Sequence, residues 1–261
     1  MDYFTKVESP PTKDLAWNIP EQKQGAINII GGNSQNFRTE IKISEYLSTN
    51  YPIKTINTVL PDSLQSSLPS LPNFIFLSST DSGSFASGDE LASAINSADF
   101  SLLLGDFSKN SITAQALSTA CQNSEQPLLI TRDTVELIAD HDPGRVLLRD
   151  NIILFASMLS LQKLFRAVYY PKMLLLSQSL IQVVDALHKF TLSYPVSIIT
   201  LHSEQIIIAK NGEVKAVPMS KSGYLPATFW NGELAAKILT LNLFSPDNFT
   251  DATISAIFHS P

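Results

Sequence analysis

The stretch GYLPATFWNGELAAKIL, residues 223–239, holds the residue types best suited to chemistry. It reads as the entrance to a helix that could hold a phosphate. A glycine there lets backbone N–H groups approach phosphate oxygens, and the helix N-terminus adds a favourable partial positive charge. Gly232 permits the unusual backbone or the close approach, and Thr228 and Asn231 are polar residues beside it. Glu233 is a carboxylate placed to act as acid or base. Trp230 stands where such an entrance usually needs glycine, so its indole either points away from a phosphate or takes its space. The plainer reading makes Trp230 a packing anchor and Glu233 a first-turn carboxylate favoured by the helix dipole.

Other candidates lie at the ends of apolar runs. AINII (26–30) ends at Gly31-Gly32-Asn33, and DFSLLLG (99–105) ends at Gly105. Open α/β sheets bind ligands at strand C-termini, which makes Gly31 and Gly32 binding candidates. The Gly-Gly pair lacks the G-x-G-x-x-G spacing of a dinucleotide fingerprint. Asp133, after PLLIT, is either the N-cap of TVELI or a residue lining such a pocket.

The remaining reactive types suggest no site. His141, His188, His202 and His259 are dispersed, no H-E-x-x-H exists, and no metal site is expected. No Walker-A sequence is present, and Ser157 and Ser160 lack a nucleophile-elbow context. Cys121 lies in a helical pattern as a buried structural thiol, and HDPGR (141–145) reads as a solvent loop.

The elements that must position these residues follow from periodicity. Strand-like runs at 26–30, IKTINTVL, NFIFL, 99–105, 127–131 and NIILF alternate with amphipathic helical patterns. The helical patterns include FRTEIKISEYLSTN, a segment opened by the capping-box spacing Ser87–Glu90, and SITAQALSTACQN. That alternation predicts a parallel sheet covered on both faces. Helices are expected at 158–168, 172–190, about 231–243 and about 247–258. VSIITL, EQIIIAK and EVKAVP form a late strand group, the last two joined by Asn211-Gly212, a strong hairpin signal. The expectation is one α/β domain over 1–261, mostly parallel with an antiparallel edge near the C-terminus, and with residues 1–20 as an extended arm.

With 44% apolar and 16% charged residues, the chain can bury a sizeable core. Its net charge of −6, with scattered basic residues, argues against nucleic acid and anionic membrane as partners. One cysteine excludes an internal disulfide. The acidic, proline-bearing start is unlike a signal peptide, and the most apolar run is broken at Gln162-Lys163. A cytoplasmic protein is expected.

This order of elements resembles the ribokinase-like superfamily, and within it the ATP- or ADP-dependent NAD(P)H-hydrate dehydratases, from about residue 17 to 258. GAINIIGGNSQNF is similar to that family's first strand and Gly-Gly-Ser turn. ADFSLLLGDFSKN resembles the strand before its Gly-Pro-Gly-Leu-Gly loop, with Gly105 kept, and these two matches imply Asn33 and Gly105 as further nucleotide- or substrate-binding residues. QPLLITRDTVELI resembles the strand ending in Asp-Ala-Asp-Ala-Leu, Asp133 fitting the second acid and Thr131 taking the first. Leu201-His202 stands at a Lys-Gly position, and FASMLSLQ replaces a Thr-Pro-His-x-x-Glu motif. LPATFWNGELAAKIL resembles the Ala-Thr-x-Gly-x-Gly-Asp entrance, with Trp230 for a glycine and Glu233 for the catalytic aspartate. The resemblance implies a three-layer ribokinase-like domain, ATP or ADP with Mg as cofactor, an adenine nucleotide or NAD(P)H-derived ligand, and homo-oligomers. Because the departures cluster in the cleft, it implies a divergent protein with degraded catalytic motifs. The alternatives are an active lyase using Glu233 and a non-catalytic scaffold.

Overall fold

Alternation along the central strands builds the layers. In β5 (Phe100–Gly105), Leu102 and Leu104 pack to one side and Leu103 to the other. In β6 (Leu128–Thr131), Leu128 and Ile130 oppose Leu129, and in β7 (Ile152–Phe155), Ile152 and Leu154 oppose Ile153 and Phe155. A strand apolar on both faces is stable only between two covering layers. The computed structural model describes residues 2–11, 19–68 and 72–259, and it shows this three-layer arrangement.

The preceding elements are β1 (Phe4–Lys6), β2 (Gln24–Gly31), α1 (Arg38–Asn50), β3 (Ile53–Pro61), β4 (Phe74–Leu77) and α2 (Gly88–Asn96). Helices α3 (Ser111–Asn123), α4 (Asp133–Ala139) and α5 (Pro143–Leu147) lie between β5 and β7. After β7 come α6 (Met158–Ala167), α7 (Leu180–Ser193), β8 (Ser197–His202), β9 (Gln205–Lys210) and β10 (Glu213–Pro218). Helices α8 (Glu233–Phe244) and α9 (Phe249–Phe258) end the fold. The sheet order is β1-β10-β9-β8-β7-β6-β5-β2-β3-β4, with β8, β9 and β10 antiparallel and every other pair parallel. Residues of α1, α8 and α9 share one core with one face of the sheet, and residues of α2 to α7 share the other.

The expected mostly parallel sheet with an antiparallel group near its end is present. The Asn211-Gly212 hairpin is also there, both residues taking the positive φ that its turn requires (50° and 80°). Two local expectations, on a helix start and on a loop, need correction. At the antiparallel edge, β1 from the expected arm adds a short parallel pairing to β10, while Tyr3 stacks on His188 at 3.6 Å. The arm's residues 12–18 lie outside the described residues. The helix expected from 172 starts at Leu180, where Ser179 and Gln182 form a reciprocal capping box. HDPGR is not all solvent loop, since Pro143 opens α5 and is buried with Val146 and Leu147. Cys121 is fully buried, and burial pushes its thiol up to about 12, so it is the structural thiol expected.

Candidate functional site

β2 and β5 are neighbours, but the chain leaves them in opposite directions, to β3 and to β6. Their C-terminal ends therefore flank the switch point where an open α/β sheet has its crevice. Gly31 pairs with Gly105 there after a register shift at Ile30, and the Gly32 N–H donates to the Gly105 carbonyl at 2.9 Å. Gly32 and Gly105 hold φ of 85° and 122°, which side chains rarely adopt. Each strand-end glycine also lies against a carboxyl. A methyl group on Gly31 would stand 2.5 Å from Glu40 Oε1, and one on Gly105 would stand 2.4 Å from Asp133 Oδ1.

The chain's own side chains fill the crevice. Asp106, with φ of 59°, receives both guanidinium nitrogens of Arg132, at 2.7 and 3.0 Å, and the Thr39 hydroxyl at 3.1 Å. Its N–H donates to Asp133 Oδ1 at 3.0 Å, and its carbonyl accepts from Asn33 Nδ2 at 2.6 Å. Asn33 Oδ1 in turn accepts the N–H groups of Gln35 and Asn36. Asp133 is thus not the N-cap of α4. Arg132 holds that position, and the Asp133 carboxylate is drawn across to the loop after β5. Burial raises the Asp133 pKa, against the Asp106 N–H and Arg132.

Glu40 is the least expected member. It opens the buried stripe of α1 with Ile43 and Leu47, is fully buried, and neither carboxyl oxygen has a hydrogen-bond partner. Burial pushes its pKa up to about 8, with the Asp106 and Asp133 carboxylates adding to the rise, and with Arg132 and its own backbone N–H, short of hydrogen-bond geometry, opposing it. At pH 7 the neutral acid therefore predominates. Sequence reading passed over it, although its i, i+3, i+7 spacing with Ile43 and Leu47 is a legible signal. It also passed over Arg132, whose left-handed backbone has no sequence signature, and Glu136, which receives the Ser160 hydroxyl at 3.2 Å.

The α8 entrance lies beside this crevice. Gly232 is its N-cap with φ of 99°, and a methyl group on it would meet Leu104 Cδ1 at 2.8 Å, so glycine is needed to seat α8 on β5. Asn231 Oδ1 accepts the Glu233 N–H at 2.9 Å, which takes up the first free donor of the helix. The Thr228 hydroxyl closes the 225–228 turn with the Leu225 N–H and carbonyl, both at 3.1 Å. Glu233 is half-buried at the helix start. Phe229 is buried and stacks on Phe155 at 5.0 Å, and Trp230 meets both rings edge-on, at 4.7 and 5.1 Å.

Trp230 lies in the cleft. With Met158, Leu176, Leu201, His202 and Glu204 it walls a space of about 430 Å³ over the C-terminal ends of β7 and β8. The His202 Nε2 is paired with the Gln178 carbonyl at 2.8 Å. A second space, about 270 Å³, lies beside α4, where Asp133 lines it with Lys109, Ser111, Glu136 and Lys163. The structure thus brings Gly31, Gly32, Asn33, Gly105 and Asp133 together at the switch point. Thr228, Asn231, Gly232 and Glu233 form a separate group at the α8 entrance, joined to the first through Gly232 and Leu104. The Trp230 cleft, with an indole and aliphatic walls, suits a flat base. The phosphate end fits less well, because the Arg132 guanidinium is taken up by Asp106 and three carboxyls crowd the crevice. Among the described residues no group of three or more His, Cys, Asp or Glu could hold a metal ion. Among them, too, no helix is long and apolar enough to cross a membrane.

No family model matches the sequence, and no curated protein matches it. Solved structures do. A ribokinase-like superfamily protein from Enterococcus faecalis V583 aligns over 99% of this chain and 86% of its own, with 14% identity and a TM-score of 0.66. The ADP/ATP-dependent NAD(P)H-hydrate dehydratase from Bacillus subtilis, co-crystallised with ATP and Mg2+, aligns over 96% and 82%, with 12% identity and a TM-score of 0.56. A Bacillus subtilis pyridoxal kinase in complex with ADP aligns over 90% and 89%, with 11% identity and a TM-score of 0.51. Likeness at such identity shows architecture, and with the sheet order above it gives one conclusion: this chain has the ribokinase-like fold.

Proposed function

We propose that this chain is a divergent, NAD(P)H-hydrate-dehydratase-like protein that binds an adenine nucleotide, or a related NAD(P)H-derived ligand, without efficient dehydration. The observation that carries the proposal is the position of Trp230, whose indole walls the cleft at the ends of β7 and β8 immediately before α8. A base stacked on an aromatic ring gains about 1–3 kcal/mol, a gain open to every flat base. The phosphates would then approach the first turn of α8, whose partial positive charge favours them.

Weak catalysis follows from the same geometry. Glu233 offers the functional group of the aspartate expected at the α8 entrance, but its extra methylene moves the carboxylate by roughly a bond length. A displacement of about 1 Å costs around a hundredfold in rate. Glu40, Asp106 and Asp133 add negative or potentially negative charge where a phosphate would need donors. On this reading the chain is one domain over 1–261 that works in the cytoplasm and self-associates.

The test is calorimetric titration with ADP, ATP, NAD and NADP in the presence of magnesium, followed by a hydrated-NADH dehydration assay. Micromolar binding of an adenine nucleotide with negligible turnover is expected. No heat with any of the four, from folded protein, would overturn the proposal in favour of a scaffold role. Efficient turnover would overturn it in favour of an active lyase.

A further inference from the structure

A third cavity, of about 620 Å³, opens at the opposite end of the sheet, against the C-terminal end of α8 and the start of α9. Its floor is a row of side chains crossing the strands on a single face. Ser197 of β8 pairs with Ile153 of β7, and Lys210 ends β9 one position beyond the Ala209–Ile198 pair, which places it beside Ser197. Asn151, two residues before Ile153, shares that face, and Phe100 of β5 extends it. Leu243 and Phe249 form the roof.

Two buried polar groups here lack partners, and a third, half-buried one meets only an aromatic ring. The Ser197 hydroxyl and Asn151 Oδ1 are buried and make no hydrogen bond. The orientation of the Asn151 amide is fixed, because its Nδ2 donates to the Glu125 carbonyl at 2.7 Å, which leaves Oδ1 as an unfilled acceptor. The Lys210 ammonium lies over the Phe249 ring, 4.8 Å from its centre, and has no carboxylate within salt-bridge distance among the described residues. Burial lowers its pKa, with Asp150 opposing. Unmatched buried polar atoms are uncommon, and each calls for an explanation such as a ligand or an ordered water.

Spacing sets the size of that ligand. Lys210 and Asn151 belong to strands two apart, and Asn151 is offset by two residues along its strand. At about 4.8 Å per strand and about 3.3 Å per residue, their backbones stand roughly 12 Å from each other. Two fused aromatic rings with one substituent at each end bridge a gap of that order once a hydrogen bond of about 3 Å is added at each end. The rim carries exposed Asp99 and Asp150, and the α8 C-terminus contributes partial negative charge, so a phosphate is disfavoured.

We propose that this cavity binds a flat, two-ring aromatic molecule carrying an oxygen acceptor at one end, for Lys210, and a hydroxyl or N–H donor at the other, for Asn151. The ring system lies between Phe100 and Phe249, and the Ser197 hydroxyl bonds to its edge. The inference is independent of the nucleotide reading, which concerns the other end of the strands.

The experiment is titration of the full chain with 6-hydroxy-2-naphthoate and 6-hydroxy-2-naphthamide, against 2-naphthol, which lacks the acceptor, and 2-naphthoate, which lacks the donor. The charged and neutral hydroxy compounds separate a carboxylate from a carbonyl at the Lys210 end. At least one hydroxy compound is expected to bind about tenfold more tightly than either truncated one, as loss of a buried hydrogen bond implies. Lys210→Met should erase the advantage of the acceptor while Lys210→Arg keeps it, and Leu243→Trp should fill the cavity and abolish all binding. Amide chemical-shift changes in the wild-type chain should centre on Ile153, Ser197 and Leu243, a readout that needs no variant. Equal affinity for all four probes, no binding at millimolar concentration, or shifts centred elsewhere would overturn the proposal.

Discussion

The Glu40 carboxyl rests directly on Gly31, with the position of a Gly31 methyl only 2.5 Å from Glu40 Oε1. A residue of α1 thus reaches down to the end of β2, and glycine there is a condition of its burial. No partner meets either oxygen. Such a group is tolerated because it keeps its proton, so the interior of the switch point depends on pH.

Glu40 should make stability fall as pH rises. Its pKa in the folded chain is about 8 against an ordinary 4.5, so between those values the folded state holds a proton that the unfolded state has released. Stability is full below about pH 4.5, declines by up to about 1.4 kcal/mol per pH unit, and levels off above pH 8. Asp106, Asp133 and Arg132 face the same group and modulate the slope. Glu40→Gln should match wild type near pH 5 and exceed it by a few kcal/mol at pH 8. Urea midpoints at several pH values check this, and parallel pH profiles for the two proteins would refute it.

The Arg132–Asp106 pair should be worth more than an open surface ion pair, being bidentate and only partly exposed. Arg132→Ala is expected to cost about 1–3 kcal/mol, because it leaves Asp106 near two other carboxyls. Arg132→Gly should cost less than Arg132→Ala, since the residue holds φ of 56° and ψ of −135°. Thermal denaturation of the two variants decides the order.

Trp230→Ala should remove the edge-on contacts with Phe155 and Phe229 and lower stability by about 2–3 kcal/mol. On the proposed function it also weakens adenine-nucleotide binding at least tenfold, while Trp230→Phe keeps most of the affinity. Unchanged affinity in the alanine variant would place the base away from the indole.

Glu233→Gln should leave nucleotide binding unchanged and turnover negligible, since the proposed function gives Glu233 no effective role as a base. A loss of turnover specific to this substitution, in a steady-state assay with hydrated NADH, would reinstate the active lyase.

The layers were readable because most central strands are apolar on both faces and most helices carry a single stripe. What escaped had no local cause. β1 is three residues whose strand character comes only from pairing with β10. Residues 172–179 have a helical composition, yet the Ser179–Gln182 box sets the true start of α7. At the site, the glycines at strand ends were legible as backbone requirements, and five of the singled-out positions, Gly31, Gly32, Asn33, Gly105 and Asp133, meet there. Their reason was not legible: Gly31 accommodates Glu40, and Gly105 accommodates Asp133. An acid in the first turn of a helix ordinarily faces water, so only tertiary packing reveals Glu40 as buried.

The seating of β1 has a temporal meaning. Among the described strands it is synthesised first, yet the strand beside it, β10, is the last to be made. During translation β1 must wait unpaired while the rest of the sheet assembles, and it docks only when Val214 to Ala216 have left the ribosome. A chain stalled or cut before that point keeps the open flank of β9 as a template for strand addition by other molecules. The short N-terminal strand is therefore a latch that only a finished sheet can close.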